Sequence, residues 1–158
     1  MANVMRWRYG DTNPVKLPVD SATVIEIGDL VYLDTDDVKP ISGVTYGANL
    51  TAAQEAAHDG FLGVAMQASA AGDTNEIRVA TSGVFEFDQA TATVELGSRV
   101  GCDDNAAGDT LLTQQVIAVD GASPQLAIGR CARRTSSATK ILVSIKSTVM
   151  NDGPQAVA

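Results

Sequence analysis

Few side chains in this 158-residue chain could do chemistry. It has one histidine, His58, so neither a histidine metal cluster nor a nucleophile–histidine–acid triad can be built in the usual way. His58 stands beside Asp59 at the end of an alanine-rich run, where an imidazole answers the partial negative charge of a helix C-terminus. Two cysteines, Cys102 and Cys131, are too few for a disulfide framework. In the chain's internal repeat they occupy the places of Leu33 and Ala65, and each reads as a reduced, buried, small apolar side chain. Asp34, Asp36 and Asp37 open like a calcium loop. However, the sixth position is Lys39 rather than glycine and the twelfth is Thr45 rather than glutamate, which excludes an EF-hand. These acids, like Asp103 and Asp104, read as solvated turn carboxylates. No nucleophile elbow, phosphate loop or dinucleotide fingerprint occurs. The expectation is a protein that is not an enzyme, with no catalytic residue, no metal site and no cofactor.

Charge narrows the partners. Net charge is −8 and unevenly distributed. Residues 1–18 carry three cations against one acid, residues 19–128 seventeen acids against three cations, and residues 129–158 five cations against one acid. An acidic body repels nucleic acid, while basic ends suit an acidic protein surface. No apolar window approaches the length of a membrane span, and the N-terminus lacks the apolar stretch of a secretory signal. Neither nucleic acid nor membrane is therefore expected as a partner. Aromatic residues are only 4% of the chain, so the core must be built from Val, Ile, Leu and Ala.

The positioning elements repeat. Glu26-Ile27-Gly28-Asp29-Leu30-Val31 and Glu95-Leu96-Gly97-Ser98-Arg99-Val100 share the pattern E-aliphatic-G-x-x-V, 69 residues apart. Leu62-Gly63-Val64-Ala65 is echoed by Ile128-Gly129-Arg130-Cys131, and Ile77-Arg78-Val79 by Val143-Ser144-Ile145, both at an offset of 66. The repeated positions are glycines and alternating aliphatics, which belong to a scaffold. Short strands with turn signals between them predict an all-β fold, a small barrel-like or sandwich domain with two related halves. One short helix is predicted over 51–58, with Thr51 and Gln54 in capping-box spacing and Gly60 as its stop. A hairpin is predicted through Thr81-Ser82-Gly83, placing Phe85 and Phe87 on one face. Leu111-Leu112 and Val116–Val119 read as separate strands parted by Gln114-Gln115.

Residues 1–20 read as an extended N-terminal arm, residues 21–150 as the barrel-like domain and residues 151–158 as a flexible tail. The arm carries Arg6, Trp7, Arg8 and Tyr9 ahead of Pro14 and Pro18. Trp, Tyr and Arg are enriched where proteins hold their partners, so these four residues are the candidate partner contacts. Phe85, Phe87, Arg133 and Arg134 are candidates for a second interface.

Several segments resemble the small β-rich capsid decoration, or cement, proteins of tailed bacteriophages. The resemblance covers about residues 20–147. It is carried by Val24-Ile25-Glu26-Ile27-Gly28-Asp29-Leu30-Val31, by Gly60-Phe61-Leu62-Gly63-Val64-Ala65, by Ile77-Arg78-Val79-Ala80-Thr81-Ser82-Gly83-Val84-Phe85-Glu86-Phe87, and by Leu96–Val100 with Ala127–Arg130. It implies a virion protein made in the host cytoplasm and carried on the outer capsid surface as a homotrimer. There it would clamp neighbouring major capsid proteins against the pressure of packaged DNA. The arm and the helix-bearing insert at 43–60 depart from that family's pattern. The alternative is a carbohydrate- or surface-binding β-module of a phage tail or adhesin.

Overall fold

The structure, a computed structural model, describes residues 3–151. Its elements run β1 (Trp7–Tyr9), β2 (Val15–Leu17), β3 (Leu30–Asp34), β4 (Asp37–Pro40), α1 (Leu50–Gly60), β5 (Phe61–Ala65), β6 (Ile77–Ala80), β7 (Ser82–Ala92), β8 (Arg99–Asp104), β9 (Leu111–Ala118), β10 (Gly129–Cys131), β11 (Ala138–Lys146) and α2 (Thr148–Asn151). Single 3-10 turns lie at Ile41–Gly43 and Pro124–Leu126. The expected all-β class with two related halves is what the chain adopts. The tail expected at 151–158 lies outside the described residues except for Asn151, which ends α2.

The strands form two sheets, one ordered β2-β6-β5-β3-β4 and the other β1-β7-β11-β10-β8-β9. The second closes into a five-stranded barrel through a parallel bridge between Asp88 of β7 and Gln115 of β9. The first curls until the Val38 amide donates to the Pro18 carbonyl at 3.1 Å, joining β4 to the end of β2. Closure leaves few free strand edges, the usual defence against edge-to-edge association.

The repeat is written into the hydrogen bonds. Gly28 N–H donates to Ala65 O and Ala65 N–H to Asp29 O, both at 2.9 Å. Gly97 N–H donates to Cys131 O and Cys131 N–H to Ser98 O, both at 2.8 Å. Gly28 and Gly97 sit at φ of +96° and +83°, a conformation that glycine adopts without strain. Downstream, Leu30 pairs with Val64 and Val31 with Gly63, as Arg99 pairs with Arg130 and Val100 with Gly129. The last expected match needs correction. Val64 faces Ala80 and Ala65 faces Val79, whereas Arg130 faces Ser144 and Cys131 faces Val143. Val79 is therefore equivalent to Val143, an offset of 64 rather than 66.

Each half has its own core. Val31, Val38, Leu62, Ala65, Ile77 and Val79 fill the first barrel. Phe85, Phe87, Val100, Cys102, Val116, Ile128, Cys131, Ile141 and Val143 fill the second. The opposite face of the first sheet, Leu30, Phe61, Val64 and Ala80, joins that second core. All five residues of β5 are buried as a result, because a strand alternates faces and here both faces are covered.

Three local expectations change. The helix starts at Leu50, and its cap is Asn49, whose side chain accepts from the Ala52 amide at 2.9 Å. Asn is at least as good an N-cap as Thr. Thr81-Ser82-Gly83 is a crossover rather than a hairpin, since β6 belongs to one sheet and β7 to the other. Residues 111–118 form one strand with a register shift opposite Cys102 and Asp104. Such a bulge re-aims a side chain, and it turns Gln114 inward.

Candidate docking surface

Residues 3–20 carry the short strands β1 and β2 and lie along the chain's own barrel. β1 pairs with β7 and β2 with β6. Before β1, the Val4 amide donates to the Ile27 carbonyl at 2.9 Å, and the Ile27 amide donates to Asn3 Oδ1 at 2.7 Å. The backbone passes so close to Gly28 that a Cβ there would stand 2.3 Å from the Val4 carbonyl oxygen.

Arg6 fills the seam of the closed barrel. One edge of β7 is taken by β11, so β1 and β9 share the other. Arg6 sits where one hands over to the other. Its Nε and Nη2 donate to Gln114 Oε1 at 3.1 and 2.7 Å, and its Nη1 donates to the Glu86 carbonyl and to Asp88 Oδ1 at 3.3 Å each. Gln114 Nε2 in turn donates to Asp29 Oδ1 at 2.9 Å, and Asp29 Oδ2 accepts from the Glu26 amide at 2.9 Å. This chain of bonds joins the arm, the first half and the second half. Lys140 Nζ also reaches Asp88 Oδ1. Burial alone would raise the Asp88 carboxyl, but the hydrogen bonds and charges of Lys140 and Arg6 outweigh it and hold the group below its ordinary range.

The four expected arm contacts therefore divide. Arg6 is 5% exposed and is spent inside the molecule, so it is removed from the contact set. Trp7 and Tyr9 are 40% and 52% exposed. The Trp7 indole donates to the Gly10 carbonyl at 3.0 Å, and Arg8 pairs with Glu86 at 3.0 Å from a largely open position.

Phe85 and Phe87 are also removed. Both are buried, with ring centroids 6.3 Å apart and planes at 28°. They share the inward face of β7 because the strand alternates, and in an aromatic-poor chain they are, with Phe61, its bulkiest core pieces. Arg133 and Arg134 are exposed in the loop between β10 and β11, and Arg134 pairs with Glu95 at 2.9 Å. They border a shallow depression of about 280 Å³ that also includes Glu86, Lys140 and Leu142. Glu86 thus links the two surviving groups, with Arg8 on one side and Arg133 and Arg134 on the other.

Sequence reasoning missed Gln114, Asp29 and Asp88. The only signal was the polar doublet Gln114-Gln115 between aliphatic runs, which reads as a break.

The other candidates for chemistry are absorbed by structure. His58 is buried, and its Nδ1 donates to the Ala127 carbonyl at 2.6 Å. It therefore pins α1 to the Pro124–Leu126 turn and does not cap an exposed helix end. Cys102 and Cys131 are free and buried. Burial and the neighbouring Asp103 charge push the Cys102 thiol up to about 12. Asp34 pairs with Lys39 at 2.6 Å. Among the described residues no group of three His, Cys, Asp or Glu side chains could hold a metal ion, and no helix is long and apolar enough to cross a membrane.

No protein-family model and no curated protein matches the chain. Among solved structures it is similar to the base of the head fiber gp8.5 of bacteriophage phi29, at a TM-score of 0.45 and 12% identity, over 84% of this chain and 94% of that one.

Proposed function

We propose that this chain is a structural, non-catalytic virion protein. It sits as a homotrimer on the outer surface of a phage head and stabilises the shell by holding neighbouring major capsid proteins together. The observation that carries this reading is the placement of the resembling segments. In order along the chain, they supply the positive-φ turns, the paired strands and the crossover on which both halves are built. Arg8, Arg133 and Arg134 supply exposed cations around Glu86, and Trp7 and Tyr9 supply exposed rings on the same strand as Arg8. Affinity at each subunit need only be modest, because a trimer that engages several capsid proteins gains by multivalency.

The test is co-sedimentation of the purified protein with DNA-free heads. The protein should pellet with heads, and the W7A/Y9A double variant should pellet at least roughly tenfold less, since exposed aromatic anchors dominate such interfaces. A native protein that stays in the supernatant overturns the reading. Truncating the arm is not a clean test, because removing Arg6 opens the barrel seam.

One observation favours a second reading as a surface-binding β-module. Two exposed rings, Trp7 and Tyr9, stand two residues apart, and such rings can stack on sugars. Binding to a glycan array that is lost in W7A/Y9A, with no binding to heads, is the result that would establish it.

A further inference from the structure

The pseudo-symmetry of the two halves exposes a face that the first half uses and the second leaves open. In the first half, Leu30, Val64 and Ala80 lie side by side across β3, β5 and β6, and all three are packed against the second barrel. Their equivalents in the second half are Arg99, Arg130 and Ser144, across β8, β10 and β11. The backbone is the same, but the apolar row has become cationic and faces outward.

This face forms an open groove of about 750 Å³, lined by Arg99, Arg130, Ser144 and Lys146 over the backbone of Ile128 and Gly129. Among the described residues no carboxylate lines it. Arg99 and Arg130 are directly opposed cross-strand partners, an arrangement that like charges disfavour. Each guanidinium is steadied by a loop carbonyl, Arg99 by Gly121 and Arg130 by Gly97 at 3.0 Å. Carbonyls orient these cations without neutralising them. Lys146 makes no ion pair among the described residues. Elsewhere among the described residues five of the eight cations pair with acids, Arg6 and Lys140 with Asp88, Arg8 with Glu86, Lys39 with Asp34 and Arg134 with Glu95.

We infer that the outer face of β8, β10 and β11 is a docking groove for a carboxylate-rich segment of a partner protein. Arginine forks match carboxylates two bonds at a time, and three cations with no acid beside them among the described residues suit a complement supplied by a partner. Nucleic acid is disfavoured, because the groove is set in a body with a net charge of −8 that repels a long polyanion. That the partner belongs to a phage head rests on the proposed function, whereas the carboxylate chemistry does not.

The experiment uses fluorescein-labelled hexaglutamate as the probe, with labelled hexathymidylate and inorganic phosphate as comparison anions. Fluorescence anisotropy should show hexaglutamate binding that weakens roughly tenfold between low and moderate salt. K146E should weaken it at least about fivefold without a change in melting temperature, since Lys146 braces nothing. R99Q/R130Q should weaken it further, checked for fold by circular dichroism, and R133Q/R134Q should leave it unchanged. The inference is overturned if native protein ignores hexaglutamate, if K146E and R99Q/R130Q bind it as tightly as native, or if hexathymidylate or phosphate competes equally well. Heads that bind K146E and R99Q/R130Q as well as native protein overturn the groove as a docking site and leave the head-binding reading standing. Groove-dependent hexaglutamate binding without head binding supports the groove and removes that reading.

Discussion

Nη2 of Arg6 and Oε1 of Gln114 lie 2.7 Å apart in a buried contact between residues 108 positions apart in sequence. Around this bond the arm, β7 and β9 meet, so it closes the seam of the second barrel and ties in the first half through Asp29.

Arg6→Ala is expected to destabilise the fold by about 2–4 kcal/mol, because it takes donors from buried acceptors and leaves a gap in the seam. Arg6→Lys should recover less than half of that, since an ammonium cannot fork between Gln114 and Asp88. Urea unfolding followed by Trp7 fluorescence measures both. A loss under about 0.5 kcal/mol for Arg6→Ala, the size of an ordinary surface change, would mean the seam holds without it.

Acid should release the arm before it unfolds the barrels. The Asp88 carboxyl is held below its ordinary range in the folded state. Its contribution is therefore fully present above the unfolded-state value of about 3.9 and is lost as pH falls through the folded value. The Glu86 amide, which donates to the Arg6 carbonyl at 2.8 Å, reports on the arm. Its hydrogen-exchange protection should drop below about pH 4, and Asp88→Asn should flatten that dependence. Protection that is insensitive to pH in the native protein would refute the link.

The paired glycines should rank by what a methyl group would meet. A Cβ on Gly63 would stand 1.7 Å from the Ala80 carbonyl oxygen, and one on Gly129 would stand 2.3 Å from that of Ser144. Overpacking of this kind costs at least about 1–3 kcal/mol, and Gly63→Ala should be the worse. At Gly97 nothing lies within 4 Å, so Gly97→Ala meets only the left-handed backbone cost of about 1–2 kcal/mol. Thermal melts of the three variants check the order, and Gly97→Ala melting below Gly63→Ala would reverse the argument.

Both thiols should be silent towards a disulfide reagent such as DTNB in the native protein. The Cys102 thiol, pushed up to about 12, has almost no thiolate at neutral pH, and the Cys131 sulfur is enclosed between the Val94 and Arg133 carbonyls. Labelling should appear only in denaturant, when reactive thiolate is accessible. Rapid native labelling at pH 7 would contradict the burial.

The glycines and aliphatics of the repeat made the two halves legible, because a turn at Gly28 or Gly97 and a close approach at Gly63 or Gly129 each demand glycine. The slip between Val79 and Val143 was not legible. Side chains in a strand alternate with period two, so a shift of two residues leaves every face unchanged. Phe85 and Phe87 read correctly as sharing one face, but the sequence does not say which face is inside. Arg6 looked like a surface cation because its partners, Asp88 and Gln114, lie 82 and 108 residues away. The groove row was visible only as arginines at framework positions, and its meaning came from comparing what covers Leu30, Val64 and Ala80.

The order of synthesis runs against the order of contact. By residue 80 the ribosome has delivered every strand of the five-stranded sheet, while Arg6 must wait for Asp88 and then Gln114. Between those points β2 can pair with β6 and the Val4 amide with the Ile27 carbonyl, but Arg6 still lacks the Gln114 acceptor that closes the seam. Latching of Arg6 is thus a late event that follows the completion of the first sheet.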